Sequence, residues 1–156
     1  MKERHQWIIK VGAVVLTAAM TGFIFWNSSQ TGSVSGARST GILTWLQEGL
    51  GLAISEFFLR KSAHFLEFCA LGILLGGTVR CYTRAWLARL MIPLFTGLLI
   101  PVCDEFFQTF IAGRSGEVRD VLIDFAGAVT GIAVASLVTL LLDRYRRKRQ
   151  ELVLWK

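Results

Sequence analysis

In the stretch FFLRKSAHFLEF, Arg60, His64 and Glu67 follow one another at steps of four and three, with Lys61 one position round. On a helix those steps put all three side chains on one face. Two further stretches carry the same kind of spacing. In PVCDEFFQTF, Asp104 and Glu105 stand four and three residues before Gln108, and in RDVLIDFAG, Asp120 and Asp124 are in i,i+4 register. Arg114, Glu117 and Arg119 lie between these stretches or at their edge. The residue types support two chemistries. The carboxylates of Glu67, Asp104, Glu105, Asp120 and Asp124 are hard oxygen donors suited to Mg²⁺ or Ca²⁺, and a carboxylate beside His64 can do acid–base work. The cations Arg60, Lys61, Arg114 and Arg119 suit an anionic ligand, because a planar guanidinium donates two hydrogen bonds to one phosphate. His64, Glu67, Asp104, Glu105 and Asp120 are the candidate catalytic residues. Arg60, Lys61, Gln108, Arg114, Arg119 and Asp124 are the candidate ligand-binding residues, and the metal, if any, is left open. The alternative is a salt-bridge network that only joins helix ends, with His64 as a hydrogen-bonded bundle residue.

The elements that hold these residues are membrane spans. With 53% hydrophobic and 18% charged residues in 156, and a mean hydropathy of +0.53, the chain has too little polar surface for a soluble domain of this size. A bilayer core of about 30 Å takes about 20 mostly apolar residues per helix. Four segments meet that length: 8–26, 57–79, 86–108 and 121–142. The first is read as a retained helix, since no small-x-small cleavage site ends it. The expected fold is an all-α membrane protein, one domain over 1–156 built as a four-transmembrane-helix bundle.

Short loops rich in Lys and Arg stay cytoplasmic. That places three basic regions inside: Lys2, Arg4 and Lys10 at the N-terminus; Arg80, Arg84 and Arg89 around the second connection; and the tail 143–156 with Arg144, Arg146, Arg147, Lys148 and Arg149. Both termini are then cytoplasmic, and every candidate site residue falls near the outer ends of the spans. Charges within spans face the bundle interior and mark function by default. The basic tail reads as a topology anchor that can also touch anionic inner-leaflet lipids.

The outer connection between the first two spans has two halves. NSSQTGSVSGARSTG, rich in Ser, Gly and Thr, reads as an exposed loop. GILTWLQEGLGLAIS spaces Ile42, Trp45, Leu46, Leu50 and Ile54 as an extracytoplasmic interfacial helix, with Gln47 and Glu48 on its other face. In the fourth span Gly127, Gly131 and Ala135 form a small-residue stripe that lets helices approach closely, and Asp124 extends that stripe outward. Pro93 and Pro101 lie in the third span, where Pro101 can kink the helix before Asp104. No G-x-S-x-G, H-E-x-x-H, P-loop or C-x-x-C pattern occurs. Cys69, Cys81 and Cys103 sit at different depths and make no disulfide framework. The basic tail is explained by topology, so nucleic acid is not an expected partner.

Taken together, NSSQTGSVSG from Asn27, RKSAHFLEFCALG from Arg60, DEFFQTFIAGR from Asp104 and RDVLIDFAGAVTG from Arg119 resemble the VanZ-like family of bacterial membrane proteins, named for a member associated with teicoplanin resistance. By the resemblance, Lys61, His64, Glu67, Asp104, Glu105, Gln108, Arg114 and Asp120 occupy the family's characteristic polar positions. Asp124 departs from the pattern, where Asn is usual; the added charge favours a metal or a basic partner, or is neutralised by Arg60 or Arg119. The resemblance implies a bacterial cytoplasmic membrane and a cell-envelope context. Three readings follow: a module that recognises an anionic envelope component or lipid-linked precursor, an intramembrane enzyme acting on a phosphate-containing lipid, and a small transporter. A transporter calls for midplane polar groups and an internal repeat, and neither is present. Oligomeric state is not readable from the residues.

Overall fold

The computed structural model describes residues 2–51 and 54–154. Met1, Leu52, Ala53, Trp155 and Lys156 lie outside the described residues, as do the side chains of Lys2, Leu50, Leu152, Val153 and Leu154, so the parts of the interfacial helix and basic tail expected there are not described. Five helices follow in order: α1 Lys2–Ser28, α2 Gly32–Leu50, α3 Glu56–Tyr82, α4 Trp86–Gln108 and α5 Val118–Leu154. α1, α3, α4 and α5 contain the four segments long and apolar enough to cross a membrane, and α2 is the shorter helix between the first two. The shortest of the four, α4, has 23 residues and rises about 34 Å at 1.5 Å per residue, enough for a bilayer core.

The bundle is turned outward. Trp7, Val15, Leu16, Phe95, Leu99, Leu137 and Leu141 are exposed, while the apolar interior is small: Ile24, Phe68, Leu71, Leu75 and Ala128, with Met20 and Ile100 against them. Lipid tails are as apolar as these side chains, so packing and interhelical hydrogen bonds, rather than the hydrophobic effect, must hold the helices together. α3 and α5 supply the packing. A Cβ built on Gly72 would lie 2.1 Å from the Ala128 carbonyl oxygen; on Gly127, 2.3 Å from that of Phe65; and on Gly131, 2.0 Å from that of Cys69. The two backbones are in direct contact along this line, and only glycine permits it. The stripe expected from the sequence is therefore the α3–α5 seam, and Gly72 of α3 joins it. α1 is tied to α3 by hydrogen bonds: Thr17 Oγ1 and Thr78 Oγ1 lie 2.8 Å apart, and the Tyr82 hydroxyl donates to the Lys10 carbonyl at 3.1 Å.

One sequence expectation is corrected. The Ser/Gly/Thr-rich stretch read as a loop is largely helical: α1 continues through Asn27 and Ser28, and α2 starts at Gly32. The hydroxyls of Ser39, Thr40 and Thr44 bond back to carbonyls four residues earlier, at 3.1, 3.0 and 2.9 Å, which satisfies within the helix the groups that usually favour turns. Gly32 packs its backbone against Gly113, where any Cβ would meet the Gly113 carbonyl oxygen at 2.2 Å, and its N–H donates to the Ala112 carbonyl at 3.1 Å. The tail is likewise an extension of α5, because nothing in DRYRRKRQELVL breaks a helix. Finally, α4 runs through both Pro93 and Pro101 without ending.

The α3–α5 seam yields a paired test. Gly131→Ala is expected to destabilise the detergent-purified protein by about 1–3 kcal/mol, the scale of overpacking. Gly77→Ala, where an added Cβ meets nothing within 4 Å, should stay within about 0.5 kcal/mol of wild type in the same thermal melts.

Candidate functional site

The seam sets the positions of the polar groups one to three turns along it. With α3 and α5 in backbone contact at Phe65 and Gly127, Lys61 of α3 reaches Asp120 of α5 and forms an ion pair with its carboxylate, both side chains partly buried. α4 brings Asp104, Glu105 and Gln108 to the same end, all buried. The connection between α4 and α5 folds back over α4 so tightly that a Cβ on Gly116 would lie 2.5 Å from the Glu105 carbonyl oxygen. Together these elements enclose a polar cavity of about 390 Å³. Its wall includes Arg60, Lys61 and His64 from α3, Glu105 and Gln108 from α4, Arg114 from the connection, and Arg119, Asp120 and Asp124 from α5.

Behind the wall runs a continuous hydrogen-bonded layer. Ser28 Oγ donates to Asp104 Oδ2 at 2.7 Å, and Gln108 Nε2 donates to the same oxygen at 3.0 Å and to Glu105 Oε1 at 3.2 Å. Asn27 Nδ2 donates to Glu67 Oε1 at 2.9 Å, and the Glu117 N–H donates to Glu105 Oε2 at 3.0 Å. Arg114 locks the layer from above. Its Nε donates to the Gln30 carbonyl at 2.9 Å, one terminal nitrogen to Gln108 Oε1 at 3.2 Å, and the other to the Asn27 carbonyl at 3.4 Å. Burial, followed by the neighbouring Arg60 charge, lowers the Arg114 pKa, while Asp104, Glu105 and Glu67 act the other way.

Ion pairs account for few of these charges. Among the described residues the pairs are Lys61 with Asp120, and Arg119 with Glu117 at 3.1 Å, the latter largely exposed. Arg119 and Lys61 also flank the Phe57 ring, 5.1 and 5.4 Å from its centre. Among the described residues Arg60 has no hydrogen-bond or ion-pair partner, and Arg114 is bonded only to neutral acceptors. Asp124, only 1% exposed, is neutralised by neither Arg60 nor Arg119. His64 Nδ1, Glu67 Oε2, Asp104 Oδ1, Asp120 Oδ1 and Asp124 Oδ2 are buried without a hydrogen-bond partner.

All the residues singled out in the sequence lie at this end of the bundle, in two shells. Arg60, Lys61, His64, Glu105, Gln108, Arg114, Arg119, Asp120 and Asp124 line the cavity, whereas Glu67 and Asp104 belong to the layer behind it. Cys103, next to Asp104 in sequence, is exposed on the other side of α4 and takes no part. Sequence reasoning missed Asn27, Ser28 and Gln30, which anchor Glu67, Asp104 and Arg114. Their signal was three polar residues closing an apolar span.

A family model described as VanZ/LLP1 matches residues 13–140. The chain belongs to the VanZ/LLP1 family. The match runs from the first span to the fourth, so the cavity and its supporting layer fall wholly within the VanZ/LLP1 region. No curated protein and no solved structure matches the chain.

Arg114 holds three acceptors in a fork that an ammonium cannot reproduce. Arg114→Lys is expected to cost about 1–3 kcal/mol in thermal stability and to speed protease cleavage within residues 109–117. Unchanged cleavage would mean that the guanidinium does not pin this connection.

Proposed function

We propose that the polar cavity is an extracytoplasmic recognition site for an anionic component of the bacterial envelope, such as a phosphate-bearing lipid headgroup, a lipid-linked precursor or an anionic polymer. One observation carries this reading. Arg60 and Arg114 line the same cavity, and neither guanidinium is bonded to a carboxylate. Two nearby cations without a directly bonded carboxylate repel each other, and a bound anion relieves that repulsion through charge-assisted hydrogen bonds. Arg114 is pre-positioned by its three neutral acceptors, so little ordering remains for the ligand to impose.

Orientation follows from charge. The basic N-terminus, the Arg80–Arg89 region and the basic tail all lie at the opposite end of the bundle from the cavity, and the positive-inside rule assigns that end to the cytoplasm. The cavity then opens outward, where envelope lipids and teicoplanin are found, and α2 covers the outer surface beside it as an interfacial helix. Tolerance to teicoplanin or related glycopeptides would arise from shielding or reorganising the bound envelope component.

A second reading is an enzyme acting on a phosphate-containing envelope lipid. It is favoured by His64 and Glu105 lining the cavity together with two guanidiniums not bonded to a carboxylate, an arrangement that sets proton-transfer groups beside an anion site.

Lipids co-purifying with wild type, Arg60→Gln and Glu105→Gln at matched membrane abundance test both readings. Wild type is expected to enrich one phosphate-bearing lipid, Arg60→Gln to lose about tenfold or more of that enrichment, and teicoplanin tolerance to fall in parallel. Equal enrichment in Arg60→Gln would sink the recognition reading. A lipid species whose cellular level changes only with wild type and not with Glu105→Gln would establish the enzyme.

A further inference from the structure

We propose that His64, Asp104 and Asp124 bind a divalent transition-metal ion, of the zinc or manganese kind, at the inner wall of the polar cavity. The three residues come from α3, α4 and α5, and one donor atom from each lies within 4.8 Å of the others. Asp104 and Asp124 are 0% and 1% exposed, and each has a buried oxygen with no hydrogen-bond partner, as His64 has a buried Nδ1. A buried polar atom left unbonded is costly, and a buried carboxylate without a cation much more so.

The protein's own cations do not meet that need. Lys61 pairs with Asp120, Arg119 with Glu117, and Arg114 with neutral oxygens. A dication among two carboxylates and a neutral imidazole gives a site of zero net charge and supplies a partner for all three residues. The ion can enter from the cavity, which both His64 and Asp124 line.

The donor set selects the class of metal. An imidazole nitrogen with two carboxylates suits zinc or manganese better than Mg²⁺ or Ca²⁺, which prefer all-oxygen shells. Thiolate-seeking ions find no sulfur, since Cys69, Cys81 and Cys103 lie outside the cluster. Bonds of about 2.1 Å would draw the donors to within roughly 4.2 Å of one another, so loading asks for small side-chain movements. Asp104 is already oriented for this: its other oxygen accepts from Ser28 at 2.7 Å and Gln108 at 3.0 Å, the supporting bonds that metal-binding carboxylates use. Three protein donors leave room for water or a ligand oxygen. The proposal is independent of the recognition reading, because the ion is held by protein groups alone.

The test uses full-length protein in detergent, stripped with chelator, then offered Zn²⁺, Mn²⁺, Mg²⁺ or Ca²⁺ singly without added lipid. Elemental analysis after gel filtration is expected to find one Zn²⁺ or Mn²⁺ per chain, at least tenfold weaker binding in His64→Gln and Asp124→Asn, and full retention in the variant Glu48→Gln, an exposed α2 position outside the cavity. The bound ion should also raise the melting temperature of wild type and not of Asp124→Asn, a readout that separates site binding from ions on the surface. No retained ion in wild type, equal retention in the correctly folded variants, or preference for Mg²⁺ or Ca²⁺ would each overturn the proposal. Lipid enrichment that persists in chelator would overturn neither reading of the anion site, so the two can fail separately.

Discussion

Direct backbone contact between α3 and α5 is the constraint on which the rest of the molecule depends. Gly72, Gly127 and Gly131 remove the side chains that would hold the two helices apart, and carbonyls of Phe65, Cys69 and Ala128 fill the space a Cβ would take. In a bilayer this is the form that tight association has to take, since the lipid gives apolar helices no reason to prefer each other. The consequence for the site is geometric. Lys61 and His64 stand one turn or less from Phe65, while Asp120 and Asp124 stand one to two turns or less from Gly127, so fixing the seam fixes these four side chains across from one another. The Lys61–Asp120 ion pair is the visible result. A wider seam would leave the same residues on the same helices and no site.

The polar layer then closes the open end of the bundle. Ser28, Gln108 and Asp104 join α1 to α4, Arg114 joins the α4–α5 connection to the end of α1, and the Gly32–Gly113 contact brings the start of α2 down onto that connection. A network whose purpose was only to join helix ends would be expected to pair its charges, because unpaired buried charge lowers stability. Here, among the described residues, the basic and acidic side chains of the cavity form two ion pairs, Lys61–Asp120 and the exposed Arg119–Glu117. Among the described residues Arg60 has no hydrogen-bond or ion-pair partner, and neither do buried atoms of Glu67, Asp104, Asp120 and Asp124. Such unmet bonding capacity is what a purely structural account does not explain.

Much of this was legible in the sequence because membranes simplify the reading. Span length is set by the bilayer, so four helices could be counted from apolar runs, and the i,i+3 and i,i+4 steps from Arg60 to Glu67, and from Asp120 to Asp124, identified the residues sharing a face. Asp124 lies on the glycine stripe of α5 and is buried against α3 and α4 for that reason. The sequence misled where local composition and tertiary packing disagree. GSVSGARSTG has the residues of a loop, yet its hydroxyls bond within a helix and its first glycine is used for a close contact with Gly113. Asn27 and Ser28 were invisible as site residues because their roles depend on partners 40 and 76 positions away. Which charges pair, and which do not, is likewise a property of side-chain direction that spacing alone does not contain.

The unpaired charges are also sorted by depth, and the sorting restricts what the cavity can hold. Guanidiniums of Arg60 and Arg114 belong to its wall, whereas the unpartnered carboxylate atoms of Asp104 and Asp124 are buried, Asp124 at the wall itself and Asp104 in the layer behind it. A simple anion would meet the arginines favourably and the buried carboxylates unfavourably; a simple cation would do the reverse. A chain of this composition could have avoided the conflict by pairing one set with the other, as Lys61 and Asp120 do, but Arg114 is bound instead to Gln108 and to main-chain oxygens. The two proposed ligands would satisfy both sets, with the ion among the carboxylates and an anionic oxygen between it and the guanidiniums. Charge separation of this kind costs stability in the empty protein, and a ligand of the proposed kind would recover it, which would tie the affinity of the site to the rigidity of the seam that fixes α3 against α5.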